Sequence, residues 1–322
     1  QVVAASTLVL RAANGIGTAG SPVYTAATNI SGVNTTEGLI NIDNTTDSDV
    51  TVSTLQTDTG GNVAFAQHGT GQVTFGSILA GRRFPVPAEG EANVTLSSEA
   101  GGVVIAAPGF ATEGLGDIAI VTTNGGNVTL EGDIAAVDDT IDIASSGNIS
   151  GNGVITGASV TLSADTGIGV TTAATQVDAV NSTTNPIRIA QTAAGGTLRI
   201  TRAEQLTSGH VILTTQNGDI LVDGLVDAGA SGNVLIQAGD SSGNNDKDVE
   251  LNAPVASGDG NISVVANRNI DQAATSNLQT SGSGTIDLEA THGSITLDAA
   301  SNQETTDGDI RFLAGLSITL GG

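Results

Sequence analysis

The 322-residue chain contains no cysteine, no methionine and no tryptophan, and only one tyrosine, five phenylalanines and six prolines. Without cysteine, neither a disulfide nor a thiolate metal site can form. A chain that crosses a cell envelope unfolded also gains from having no thiols to crosslink. Aromatic and thioether side chains are what fill irregular space in an ordinary core. Here Val, Ile, Leu and Ala must fill it alone, which suits an interior of repeated, near-identical layers. Positive charge is scarce too: 9 Lys and Arg stand against 33 Asp and Glu, a formal charge of −24. Such a surface repels phosphate backbones and anionic membranes, so nucleic acid is excluded as a partner. A saline exterior or divalent cations suit it better. There is no run of 18 apolar residues and no basic leader before an apolar core, so neither a membrane span nor a signal peptide is expected. The start in QVVAASTLVL and the stop at LSITLGG read as a mature or excised piece of something longer.

What the chain has in abundance is glycine, 44 residues, and short alternating strands. The stretch GDIAIVTTNGGNVTLEGDI at 116–134 shows the pattern: three times a glycine plus Asp or Asn leads into a β-branched residue. Triplets of this kind recur as LINI, DVTV, NVAF, QVTF, NVTL, DIAI, TIDI, SVTL and onward to SITL at the end. Apolar and polar residues alternate within each and turn formers flank them, as half-buried strands require. No segment of helical length has apolar spacing of three and four.

A longer period overlies the strands. The first apolar residues of one series are Val50, Val73, Val94, Ile118 and Ile141, with steps of 23, 21, 24 and 23. The series resumes 46 residues on at Ile187 and runs through Val211, Val234, Ile262, Ile286 and Ile310. An interleaved series steps from Val103 to Val128 and from Leu198 to Ile220. A period near 23 with two or three strands describes coils that stack in parallel, each covering the apolar face of its neighbour. The expectation is a single all-β domain over 1–322, a right-handed parallel β-helix, its hand taken from the rule for parallel crossovers. Fourteen coils at roughly 4.8 Å each predict a body about 67 Å long. LRAANGIG at 10–17 matches LSADTGIG at 162–169, and GNVAFAQHGTGQVTF matches GHVILTTQNGDILV. Two tandem copies of a unit near 150 residues are therefore expected, about 7–157 and 158–300, with the start of a further one.

Stretches such as GNVTL, GNISGNGVITGASVTLSADTGIG and GIGTAGSPVYTAATNI resemble the interior repeats of large bacterial exoproteins of the filamentous haemagglutinin type. The resemblance implies a secreted or cell-surface structural rod, exported by two-partner secretion through an outer-membrane partner, serving adhesion, aggregation or biofilm matrix. It implies as partners a glycan or protein on a host or neighbouring cell, or other copies of the chain. It also implies that the chain is not an enzyme. Two alternatives stand beside it: a polysaccharide-active β-helix lyase or hydrolase, and a self-assembling filament or surface-layer subunit.

A β-helix enzyme needs carboxylates clustered on one face of adjacent coils. The outward residues of the main series are Thr51, Thr74, Thr95, Ala119, Asp142, Arg188, Ile212, Leu235, Ser263, Asp287 and Arg311, with no two adjacent acids. The same column breaks the threonine ladder that ice binding would need. Calcium is the ion to consider, at Asp240, Asp246 and Asp248 in GDSSGNNDKD or at Asp43, Asp47 and Asp49 in IDNTTDSDV. Asp- and Asn-rich turns can offer it oxygens, although neither stretch has the spacing of a known calcium loop. His68, His210 and His292 are far apart and read as turn decoration. Phe65, Phe75 and Phe312 read as core. GRRFPVPAEGE at 81–91 reads as a projecting loop, and Arg82, Arg83 and Phe84 as the residues to grip a carboxylated sugar or a neighbouring molecule.

Overall fold

An apolar–polar–apolar triplet must send its two apolar residues to one side of a strand. In the strand Val63–His68, Val63, Phe65 and Gln67 are buried, while Ala64, Ala66 and His68 are half-buried on the other side. The computed structural model describes residues 2–58, 60–81, 92–112, 116–192 and 196–321. Among them are 31 strands and no helix. The strands stack in parallel as a β-solenoid of about 13 turns, roughly 23 residues apart. Contacts divide the chain into two units, Gln1–Ala164 and Asp165–Gly322.

Each unit has three strand faces per coil, and each face contributes a column of stacked apolar residues. In the first unit one column runs Ile40, Val63, Val94, Ile118, Ile141, Val160. A second runs Val50, Val73, Val103, Val128, Ile149. The third face stacks Leu55 on Ile78 and Ile134 on Ile155, with Phe110 against Ile134. In the second unit the first column runs from Ile168 through Ile187, Val211, Val234, Ile262 and Ile286 to Ile310. Leu198, Ile220, Val249, Ile270, Ile295 and Ile318 form the second. Val226, Val255 and Leu278 belong to the third. Most of these side chains are sealed from solvent, each contributing about 1.5–3 kcal/mol of hydrophobic stabilisation. Phe65 and Phe75 meet edge to face at 5.3 Å in the first unit's core.

The stacking corrects the expected series at two steps. Val94 does not lie on Val73: it pairs with Val63, and Val73 pairs with Val103. The chain between them carries the extra residues 82–91, so this coil is longer than its neighbours. The 21-residue step joined two different faces, which share one triplet pattern and so look alike in sequence. Ile141 likewise pairs with Val160, nineteen residues on, because that coil is short. The interleaved steps Val103 to Val128 and Leu198 to Ile220 are true stacking pairs.

The opening Gly-Asx-β-branched motif has a separate task for each residue. The glycine sits where successive coils touch at a corner. A Cβ on Gly260 would lie 2.0 Å from the Gly232 carbonyl oxygen, and one on Gly308 2.0 Å from that of Gly284. No side chain fits there. The Asx residue reaches along the stack: Asn233 Oδ1 accepts from the Asn261 backbone N–H at 2.8 Å, and Asn261 Oδ1 from that of Thr285 at 2.8 Å. In the first unit the same ladder runs from Asn62 to Asn93, from Asn93 to Asp117 and from Asp117 to Thr140, at 3.0, 2.8 and 3.0 Å. The β-branched residue then enters the core.

Candidate functional site

The aspartates proposed as calcium ligands are each held by their own partners. Asp240 folds back on its loop, accepting from the N–H groups of Ser242 at 3.0 Å and Gly243 at 2.9 Å and from the Ser242 hydroxyl. That hydroxyl, with the backbone donors, keeps its carboxyl below the usual aspartate range. Asp246 takes Lys247 Nζ at 2.9 Å. Asp248 is gripped by the Arg268 guanidinium and by the Asn269 N–H at 2.9 Å. Burial pushes the Asp248 carboxyl up, but Arg268 and Asn269 outweigh it and the net displacement is downward. In the first unit Asp47 accepts from Thr70 N–H at 3.1 Å and Asp49 from Gln72 N–H at 3.0 Å, both as coil-to-coil connectors. Among the described residues no three His, Asp or Glu side chains are arranged to hold a metal ion. Arg82, Arg83 and Phe84 lie outside the described residues.

Two constellations arise that sequence spacing did not single out. The first is on the outward side of the first unit. His68 ends its strand between carboxylates of the coils on either side: Nδ1 is 3.0 Å from Glu99 and Nε2 3.4 Å from Asp43. The Glu99 hydrogen bond raises the imidazole above its ordinary value, against a smaller opposing effect of burial. Tyr24, the single tyrosine and 46% exposed, stands opposite Asp43 one coil back. Glycine on either side of a histidine signals a turn, and nothing in the local sequence announces partners 25 and 31 residues away.

The second constellation is in the second unit. Glu250 and Asp271 are direct partners on adjacent coils, both exposed on the outward side. With Asn252, Thr296 and Asp298 they line a cavity of about 210 Å³. Asn252 Nδ2 is committed to Asp223 at 2.8 Å, and Asp298 accepts from Ala300 N–H at 3.0 Å. In the second unit the main series, tested for adjacent acids, runs through the first face, whereas this pair lies on the second. Paired strands set the backbones of such residues about 4.8 Å apart, close to the carboxyl separation that retaining glycoside hydrolysis uses. That chemistry also needs the two groups held in unlike surroundings, one protonated and one ionised. Glu250 and Asp271 share one open face.

No protein family, curated protein or solved structure matches this chain.

Further charged pairs join coil to coil. Arg202 meets Asp178 at 2.9 Å, Arg199 meets Asp223 at 2.5 Å, and Arg311 meets Asp287 at 2.6 Å. Each pair bridges strands that are neighbours in the stack.

Proposed function

We propose that the chain is a structural and adhesive segment of a secreted or surface-exposed bacterial exoprotein of the filamentous haemagglutinin kind, with stiffness and reach as its mechanism. The observation that carries this reading is where the polar chemistry goes. Asn, Asp, Thr and Arg side chains that would arm a catalytic site are spent on bonds between successive coils, as in the Asn62–Asn93–Asp117 ladder and the Arg311–Asp287 pair. Each such bond is worth on the order of 1 kcal/mol, and repetition makes a body that resists local opening. The reading is tested by displaying the chain on a non-adherent bacterium and scoring attachment to other cells and autoaggregation, with and without calcium. Gain of either supports it. Absence of both, with the protein folded on the surface, overturns it.

A polysaccharide-active enzyme is the second reading, favoured by the opposition of Glu250 and Asp271 alone. Incubating the purified chain with acidic and neutral polysaccharides and measuring new chain ends decides it. Cleavage that Glu250→Gln abolishes would replace the adhesive reading.

A further inference from the structure

The first unit carries a cavity of about 270 Å³ on its outward side, with Asn41, Asn62, Asn93, Thr95 and Ala64 among its walls. Ala19 closes one side, at the tip of a tight turn in which Thr18 and Ser21 exchange backbone hydrogen bonds at 2.9 and 3.1 Å. In a chain of formal charge −24, no charged side chain is found among the described residues lining it.

The three asparagines are fixed by the coil ladder, and this decides which end of each amide faces the cavity's contents. Asn62 Oδ1 is held by the Asn93 N–H at 3.0 Å and Asn93 Oδ1 by the Asp117 N–H at 2.8 Å. Only an oxygen can accept there, so the amide cannot be flipped and Nδ2 is the end left over. Neither Nδ2 has a partner among the described residues. Asn41 is fixed the other way round, donating Nδ2 to the Thr18 carbonyl at 2.8 Å and leaving its oxygen free. The cavity therefore presents two pre-oriented donors one coil apart, one acceptor and the Thr95 hydroxyl over an Ala64 methyl floor. Groups held this way lose little freedom when a ligand arrives.

This set suits a ligand with hydroxyls that both donate and accept and with an apolar C–H face. It suits ions poorly: a cation finds no carboxylate, and an anion meets the charge of Asp117 just beyond Asn93. The volume lies at the lower edge of small-molecule pockets, room for one ring of a chain whose remainder stays in solvent. We infer that Asn41, Asn62, Asn93 and Thr95 form a binding site for a neutral saccharide unit. The inference deepens the adhesive reading by naming a ligand class, and rests on that reading for its use at a cell surface.

The test is a titration of the intact chain with maltotetraose, cellotetraose and chitotetraose, with tetragalacturonate as the acidic comparison, followed by NMR of the Asn side-chain amides. Asn62→Asp keeps the oxygen that accepts from Asn93 and removes the donor, so the ladder survives and the site does not. Asn261→Asp makes the same exchange in the second unit, away from the cavity. At least one neutral tetramer is expected to shift the Asn62 and Asn93 amides at about 1–10 mM. Asn62→Asp is expected to weaken that binding at least about tenfold, the loss of one hydrogen bond, and Asn261→Asp to leave it unchanged. The inference is overturned if no neutral tetramer binds, if Asn62→Asp binds as well as the parent, or if tetragalacturonate binds as tightly. The attachment assay does not depend on these sugars, so site and adhesive role can fail separately.

Discussion

At the corner between the first and second faces, the first unit stacks a buried polar column: Thr25, Asn44, Gln67, Ser98, Thr122 and Ser145. The second unit begins the same way with Thr172, Gln191 and Thr215, and then turns to alanine at Ala238; further on Ala266, Ala290 and Ala314 stack in register. The polar members find partners within the stack, the Ser98 hydroxyl excepted. Asn44 accepts from Ala27 N–H at 2.9 Å and donates to Gln67 Oε1 at 2.8 Å, while Thr122 closes its own turn onto the Gly126 carbonyl at 2.5 Å. Where alanine takes over, connectors outside the core do that work: Asn269 N–H bonds to Asp248, Ser294 N–H to Asn269, and Arg268 clamps Asp248. One geometry thus admits two chemistries, a buried hydrogen-bonded ladder or an apolar column with outer ties. They should fail differently, since an orphaned buried amide costs far more than a screened surface pair.

The largest effect falls on what both units share, the glycine corner. Gly284→Ala forces a Cβ to within 2.0 Å of backbone and should cost about 3 kcal/mol or more in denaturant unfolding. Gly169→Ala, in the same unit but with open space around its Cβ, should stay within about 0.5 kcal/mol. Equal costs would show that the coils can spread at the corner, and the close-contact argument would fall.

Next comes the buried ladder. Asn44→Ala leaves the Ala27 amide and Gln67 Oε1 without partners and should cost about 2–3 kcal/mol. Hydrogen exchange should locate the loosening in the first unit, at residues 25–27 and 44–46. A loss below about 0.5 kcal/mol would mean that water enters and replaces the amide.

The solenoid, its parallel stacking and its period were legible because alternation and glycine punctuation repeat in every coil. What could not be read was which face a triplet belongs to, since Val73 and Val94 head identical-looking strands on different faces. The Gly-Asx-β-branched motif was visible, but its meaning lay in Asn62 meeting Asn93, a contact made only after stacking. The sites were hidden for the same reason. Glu250 with Asp271, and His68 with Asp43 and Glu99, are neighbours across coils of unequal length, and a fixed period of 23 does not find them.

A smaller effect is expected from the outer ties. Arg268→Ala should cost about 1 kcal/mol or less, shrinking as salt is raised, because the pair is partly solvated. The Asp248 carboxyl is held below its ordinary value in the fold, so its contribution is present above that ordinary value and is lost as pH falls through the folded one. In the parent the Arg268 increment should therefore shrink once pH falls below about 4 and vanish below the folded value. If it persists there, the guanidinium acts by packing and not by charge.

The smallest effect has the opposite sign with pH. His68 is raised by Glu99 and Asp43, so the stability it adds is complete below its unfolded value near 6.5 and is lost as pH rises through the higher folded value. Half of its ring is in solvent, so screening should hold this to a few tenths of a kcal/mol. An acidic chain also relaxes its self-repulsion at lower pH, so the slope of the parent alone is ambiguous. His68→Gln removes the titration and leaves the background, and the difference between the two curves from pH 6 to 8 isolates the clamp. Two parallel curves would leave His68 without influence on the three coils it spans. Convergence at high pH would make His68 a tie on the first unit's outer face that weakens as pH rises, set against the Arg268–Asp248 tie of the second, which weakens as pH falls.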